Sequence, residues 1–208
     1  VWQELRLRLV GRLVVLEPLA QEHEEDLYRA ARDMDWSYMP YDPSWSPQAF
    51  RAWLEEALER SRRGEHAAFA ILQATSGQAV GSTRYMSLRP EHRGLEIGWT
   101  WLRRSLWGTG ANVEAKLLLL EHAFEQLGCM RVELKTDARN ARSRAALEAL
   151  PARLEGIFRK HMLVGQDRSQ VRDSAWYGIT DEEWPAVKAR LLARLARALP
   201  GEPRQSGL

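Results

Sequence analysis

The sequence has little cysteine, no long apolar run and no marked excess of either charge. Its single cysteine, Cys129, excludes an intrachain disulfide, as is typical of proteins from a reducing compartment. No stretch approaches the roughly 20 consecutive apolar residues that a membrane helix needs. Lys and Arg total 30 against 28 Asp and Glu, whereas nucleic-acid-binding proteins usually carry a clear basic excess. We therefore expect neither a nucleic-acid partner nor a membrane partner.

The composition is that of an ordinary globular protein. Hydrophobic residues make up 45% and charged residues 28% of the chain. The N-terminal residues include no apolar block followed by a small-residue cleavage site, so we expect no signal peptide and a cytoplasmic location. No repeat or linker divides the chain. We expect one domain over residues 1–199 and a mobile C-terminal tail over residues 200–208.

The hydrophobic periodicity predicts seven strands and five helices. Short apolar or alternating segments predict strands over residues 13–16, 67–73, 79–88, 95–102, 131–136, 157–164 and 171–179. Apolar residues at helical spacing, with their start and stop signals, predict helices over residues 21–34, 47–63, 111–127, 140–150 and from about 184 to 199. One strand–helix–strand unit stands among antiparallel hairpins. This order predicts an α+β fold with a mixed sheet.

A glycine turn precedes the third helix. Gly108 and Gly110 let the backbone approach an anion, while the N–H groups and dipole of a helix start attract negative charge. Arg103 and Arg104 add positive charge at the mouth of this turn. The segment lacks the Lys-Ser/Thr of a P-loop and the third glycine of a dinucleotide-binding fingerprint. The turn is therefore either a phosphate cradle of another kind or a plain tight turn.

A second polar pair lies where the strand at 131–136 runs into the fourth helix. Asn140 and Ser143 are three residues apart and share one helix face. Asn140 is either an N-cap with an exposed Ser143 beside it, or both side chains line a cleft.

Together these segments resemble the GNAT superfamily (Gcn5-related N-acetyltransferases), and in particular its RimJ/RimL-type branch of ribosomal-protein N-acetyltransferases. The resemblance covers nearly the whole chain, in segments 15–19 (VLEPL), 80–84 (VGSTR), 96–98 (EIG), 108–115 (GTGANVEA), 131–134 (RVEL), 140–143 (NARS), 155–159 (EGIFR) and 172–173 (RD). It implies a mixed, mostly antiparallel sheet with helices on both faces and a central splayed strand pair that holds acetyl-CoA.

The resemblance also implies which residues bind the cofactor. The family's phosphate loop corresponds here to Trp107, Gly108, Thr109, Gly110, Ala111 and Asn112. Trp107 and Asn112 depart from the family pattern, whereas the central Gly110 is kept. Asn140 matches an Asn beside the pantetheine, and Leu102 matches the strand residue whose backbone meets the thioester carbonyl.

The expected chemistry is attack of a neutral amine on the thioester, which needs a base, an oxyanion donor and an acid. The backbone N–H near Leu102 fits the oxyanion donor, and Ser143 matches the proposed acid of RimL-type enzymes. Glu96 is the preferred base, with a structural carboxylate as the alternative. If its strand is regular, Glu96 and Leu102 share one face, and a bulge near Gly98 reverses this. His161 is the alternative base, because Met162 replaces the carboxylate of RimL-type enzymes.

Trp36, Tyr38 and Tyr41 lie in an aromatic loop before the second helix, which is either one wall of the acceptor pocket or plain packing. We expect an acetyl-CoA-dependent N-acetyltransferase that acts, without a metal, on a protein N-terminus or a small-molecule amine, with a homodimer as a possible assembly. A non-catalytic acetyl-CoA-binding or sensor protein on the same fold is the alternative function.

Overall fold

The strands form one mixed sheet, described here from a computed structural model that covers residue 2 and residues 5–198. The tail predicted at 200–208 lies outside the described residues. The strands are β1 (Leu9–Val10), β2 (Val14–Pro18), β3 (Ala67–Gln73), β4 (Ala79–Arg89), β5 (Gly94–Leu102), β6 (Arg131–Asp137), β7 (Arg153–Val164) and β8 (Gln170–Thr180). Their order in the sheet is β1-β2-β3-β4-β5-β6-β8-β7. Among the strands of the described residues, only β5 and β6 pair in parallel, so the predicted α+β fold with a mixed sheet is confirmed.

Helices cover both faces of this sheet. They are α1 (Glu24–Ala31), α2 (Pro47–Arg62), α3 (Ala111–Glu121), α4 (Ala141–Ala149) and α5 (Trp184–Ala198). Alternate residues of β3 belong to two separate hydrophobic clusters, one formed with α1 and α2 and the other with α3, α4 and α5. Because strand side chains alternate between faces, α1 and α2 cover one face and the other three helices cover the second.

The helix boundaries follow local capping chemistry. Ser46 Oγ accepts the Ala49 N–H at 3.1 Å, Pro47 is the first residue of α2, and Gly64 follows that helix at φ 72°. Asn140 caps α4, since its Oδ1 accepts the Ser143 N–H at 3.0 Å. The N-cap interpretation of Asn140 is therefore correct.

A buried carboxylate joins α3 to the first strands. Glu114, in the first turn of α3, accepts the backbone N–H groups of Arg12, Leu13 and Val14 at 2.9, 2.6 and 2.8 Å. These three bonds fix the start of α3, and hence the glycine turn before it, against the β1–β2 turn.

The sequence analysis missed one strand and placed the boundaries of two other elements wrongly. The two-residue β1 was not predicted, because a pair of residues carries no periodic signal. The helix predicted over 21–34 is a 3-10 turn at Gln21–His23 followed by the shorter α1. Edge strand β7 begins at Arg153 rather than at residue 157, because its largely exposed side chains show little apolar alternation.

Candidate active site

A cleft opens where β5 and β6 part. The two strands pair only from Gly94 to Glu96 and from Arg131 to Glu133, and beyond these residues a cavity of about 390 Å³ lies between them. The predicted splayed pair is thus present. Since the cavity passes between strands, it is lined from both faces of the sheet.

A β-bulge in β5 changes which face its side chains occupy. Between the pairs Ser82–Trp101 and Arg84–Gly98, β5 has one more residue than β4, and Trp99 has a φ of 49°. Ile97 and Leu102 both pack in the cluster under α3, although they are an odd number of residues apart. The bulge case of the sequence prediction therefore holds: the side chains of Glu96 and Leu102 lie on opposite faces.

Eight of the residues predicted for the site line the cavity. They are Tyr38, Glu96, Leu102, Trp107, Gly108, Asn112, Asn140 and Ser143. The remaining members of the predicted phosphate segment adjoin the cavity in sequence without lining it, namely Arg103, Arg104, Thr109, Gly110 and Ala111. Asn140 thus fulfils both of its interpretations, because it caps α4 and lines the cleft.

The glycine turn has two positions that need glycine for different reasons. Gly108 has φ 79° and Gly110 has φ 93°, in the left-handed region that most side chains avoid. A Cβ on Gly110 would lie 3.0 Å from Ala198 Cβ and 3.1 Å from Leu13 Cδ1, whereas a Cβ on Gly108 would meet nothing within 4 Å. Gly110 is therefore required by packing as well as conformation, and Gly108 faces open space at the cleft.

The backbone of Leu102 is turned toward the cleft. The Arg103 N–H donates to Val80 O at 2.8 Å, and antiparallel pairs alternate between bonded and non-bonded registers. The next pair, Gly81 and Leu102, therefore directs its N–H and C=O groups away from the β4–β5 ladder. On the cleft side, Leu102 O accepts Trp107 Nε1–H at 2.9 Å. The Leu102 N–H has the orientation that an oxyanion donor in the cleft needs.

Two arginine side chains pack over the Trp107 ring at the mouth of the cleft. The guanidinium carbon of Arg142 lies 3.7 Å from the Trp107 ring centroid, and that of Arg104 lies 5.7 Å away. Arg142, from α4, and Arg194, from α5, both line the cavity and were missed by the sequence analysis. Arg142 lies between two predicted cleft residues, Asn140 and Ser143, which was the available signal. Arg194 had no such signal, because no cleft residue was predicted in α5.

Glu96 lies on the side of the cleft that faces the α1–α2 loop. Its carboxylate is 1% exposed, accepts Lys135 Nζ at 2.6 Å and accepts Ser87 Oγ–H at 3.2 Å. Arg172, also buried, lines the same side. Burial lowers the pKa of Arg172, while the nearby carboxylates of Asp137 and Glu96 oppose that shift. The candidate base is thus part of an ion pair.

His161 does not line the cavity. Its Nδ1 lies 3.0 Å from Ser174 Oγ, which also accepts Arg172 Nε–H at 3.1 Å. Burial, and next the positive charges of Lys135 and Arg172, lower the pKa of His161. The imidazole is therefore linked to the cleft-lining Arg172 through the hydroxyl of Ser174.

Of the three aromatic side chains predicted to form one wall of the acceptor pocket, two pack against other aromatic rings and one lines the cavity. Trp36 is 7% exposed, donates Nε1–H to Ala31 O at 2.9 Å and packs against Trp101. Tyr41 packs edge-on against Trp99, and burial raises its pKa. Only Tyr38 lines the cavity. The packing interpretation therefore describes Trp36 and Tyr41.

A buried lysine that the sequence analysis missed lies in the opposite wall. Lys116, from α3, lines the cavity and donates from Nζ to Thr100 Oγ1 at 2.6 Å. Burial lowers its pKa to about 7. Its position one helical turn after Asn112 was the available signal, because residues i and i+4 share a helix face.

No helix within the described residues has the length and apolar character to cross a membrane. No group of acidic, His or Cys side chains in that same part of the chain is arranged to hold a metal ion.

The chain is similar in sequence and in structure to known acetyltransferases. A family model described as "Acetyltransferase (GNAT) domain" matches residues 13–153. A GCN5-related N-acetyltransferase from Brucella melitensis is 33% identical in sequence; its crystal structure aligns with a TM-score of 0.84 over 92% of this chain and 86% of that one. The probable N-acetyltransferase YjcK of Bacillus subtilis (strain 168) is 26% identical over 162 residues, 75% of this chain and 89% of the relative.

A more distant structure shares the fold alone. RimL, described as a ribosomal L7/L12 alpha-N-protein acetyltransferase, is 18% identical and aligns with a TM-score of 0.72 over 84% of this chain and 94% of its own. The family match spans more than half of the sequence and includes β5, the glycine turn and α4. The chain belongs to the GNAT family and is an N-acetyltransferase.

Proposed function

We propose that this chain transfers an acetyl group from acetyl-CoA to a primary amine, by direct attack of the amine in a ternary complex. The observation that carries the proposal is the cleft between β5 and β6, which is lined from both faces of the sheet and has the glycine turn at one end. One face can then receive the cofactor while the acceptor enters from the other.

The cofactor is proposed to lie on the side of α3 and α4. Its pyrophosphate would meet the N–H groups of the turn at Gly108 and the start of α3, with the positive end of the helix dipole behind them. Arg103, Arg104 and Arg142 supply further positive charge near this mouth. The pantetheine would run past Asn140 toward Leu102.

Each chemical role has a candidate on the cleft. The Leu102 N–H would stabilise the oxyanion as the amine attacks the thioester carbon. Glu96 would take the proton from the attacking nitrogen, with His161 as the alternative base. Ser143, on the α4 wall, would assist the departure of the sulfur, as an acid or as a hydrogen-bond donor.

The acceptor is proposed to enter beside the α1–α2 loop. Tyr38 lines this side together with the apolar side chains of Met34, Met39 and Met86, and Glu96 lies there in its ion pair with Lys135. Such a surface suits a neutral amine attached to an apolar or flexible stem, as at a protein N-terminus or in a small-molecule amine.

The test is release of free coenzyme A when acetyl-CoA is mixed with the chain and a panel of amines. Peptides with free N-termini are compared with the same peptides already N-acetylated, and small primary amines with their N-acetyl forms. Cys129 does not interfere with thiol detection, because it is 1% exposed and burial raises its pKa to about 12. Release with free amines alone supports the proposal. Cofactor binding without release from any amine would instead indicate a non-catalytic acetyl-CoA-binding protein.

A further inference from the structure

Lys116 is a basic side chain buried in the wall of the cleft on the cofactor side. It is 6% exposed, and its Nζ donates to Thr100 Oγ1, which lies 2.8 Å from Thr83 Oγ1. An ammonium has three N–H groups, and Thr100 is the hydrogen-bond partner of Nζ among the described residues. The side chain therefore has N–H groups to offer to a molecule in the cavity that it lines.

Within the described part of the chain, no carboxylate pairs with Lys116. The other charged side chains that line the cavity come from the loop after α1, from both parting strands and from the elements around them: Asp35, Glu96, Lys135, Arg142, Arg172 and Arg194. Glu96 is bonded to Lys135 on the opposite face of the sheet. Glu114, on the same helix, is bonded to the β1–β2 turn. Burial alone therefore lowers the pKa of Lys116 to about 7.

Burying a cation without a carboxylate partner costs free energy of folding. We therefore infer that Lys116 is buried in the cleft because it has a function there. The bulge at Trp99 directs Thr100 to the α3 face, where it holds the Lys116 ammonium two residues from Leu102 along β5. The Leu102 backbone is the proposed partner of the thioester carbonyl. The ammonium thus lies on the side where the thioester sulfur would leave.

We propose that Lys116 is the general acid that protonates the coenzyme A thiolate as it departs. The inference rests on the proposed function of the cleft. As the amine nitrogen bonds to the thioester carbon, the carbon–sulfur bond breaks and its electron pair passes to sulfur. One Nζ–H proton of Lys116 then forms the S–H bond, and the neutral lysine regains a proton from water before the next turnover.

The acidities favour Lys116 over Ser143 as the source of this proton. A thiol has a pKa of about 8.5, so an ammonium that titrates near neutral pH gives its proton to a thiolate readily. An alcohol is a weaker acid than a thiol, so Ser143 can donate a hydrogen bond to the sulfur but holds its own proton. Lys116 and Ser143 would then act on the sulfur from the α3 and α4 walls.

The first test compares pH profiles of kcat for the wild type and Lys116→Met. A general acid works only while it is protonated, so wild-type kcat is expected to fall as the pH rises above about 7. Lys116→Met is expected to lower kcat by about 10²-fold and to remove this alkaline fall. Methionine fills a similar apolar volume, so the melting temperature of the variant is expected to equal or exceed that of the wild type. Lys188→Met, which removes a surface lysine paired with Glu121 and Glu125, is the matched control.

The second test needs no acceptor amine. The ultraviolet absorbance of the thiolate reports the titration of coenzyme A bound to each protein, and the Lys116 ammonium is expected to move this titration to lower pH in the wild type than in Lys116→Met. Equal thiol titrations in the two proteins, or an alkaline fall in kcat that survives in Lys116→Met, would overturn the proposal. A wild type that shifts the thiol titration but turns over no amine would refute the proposed function and retain Lys116 as a thiolate-stabilising group.

Discussion

Gly108 offers a direct test of the proposed phosphate cradle, because a side chain can be added there without a clash. A Cβ at this position meets no atom within 4 Å, and the φ of 79° is one that Asn and Asp adopt more readily than other residues. Gly108→Asp and Gly108→Asn therefore form a matched pair that differs by one negative charge. Gly110 is unsuitable, since any side chain there would press on Leu13 and Ala198.

The size of the charge effect follows from Coulomb's law. A carboxylate about 6 Å from the pyrophosphate would cost about 0.7 kcal/mol per unit charge in a water-like medium and about 2.8 kcal/mol at an effective dielectric constant of about 20. These limits correspond to about a 3-fold and about a 100-fold loss of acetyl-CoA affinity. Gly108→Asn carries the same strain without the charge, so its affinity is expected to stay near that of the wild type.

Isothermal titration calorimetry measures the affinity of each variant for acetyl-CoA at low and at high salt. The difference between Gly108→Asp and Gly108→Asn is expected to shrink in 1 M salt, where charges are screened within about 3 Å. Thermal melts of the two variants establish that both fold to the same extent. Equal affinities of the two variants at low salt would show that the cofactor phosphates lie elsewhere.

Three further substitutions test the walls of the cleft and its support. Ser143→Ala is expected to lower kcat by about 10²-fold or less without changing acetyl-CoA affinity; an unchanged kcat, with chemistry rate-limiting, would remove Ser143 from the mechanism. Glu96→Gln is expected to lower kcat by about 10²-fold and leave the Kd for acetyl-CoA intact, whereas a wild-type rate would pass the role of base to His161 or to water. Glu114→Ala is expected to destabilise the chain by about 2 kcal/mol in urea unfolding, because the buried Val14 N–H and the partly buried Leu13 N–H lose their acceptor; a loss below about 1 kcal/mol would contradict this.

Much of the fold was predictable because local signals and burial agree. β3 was predicted to the residue, since a run of apolar side chains is buried on both faces and ends at a turn. The start of α2 was likewise fixed by Ser46 and Pro47, whose capping chemistry is local. Edge strand β7 was predicted too short, because a strand exposed along most of its length needs no apolar pattern.

The parts of the candidate site that lie within one short sequence segment were predictable, and the parts that come from distant elements were not. The glycine turn and the Asn140–Ser143 pair are each contained in one segment, and both are at the cleft. Arg172 and Arg194 reach the cleft from β8 and α5, through the place of β8 beside β6 in the sheet and the packing of α5 against α3. Lys116 is a different case, since a lysine in a helix is ordinarily read as an exposed residue and its burial depends on the packing of α3 against the sheet.

The bulge at Trp99 gives the cleft two chemically different sides. With regular alternation, Thr100 would share a face with Glu96, and Lys116 on α3 would have no partner on β5. The extra residue turns Thr100 toward α3 and leaves Glu96 with Lys135 near the α1–α2 loop. In the proposed reaction one proton leaves the acceptor nitrogen and another must reach the sulfur on the far side of the thioester. One irregularity in one strand therefore separates the group that would accept the first proton from the group that would donate the second.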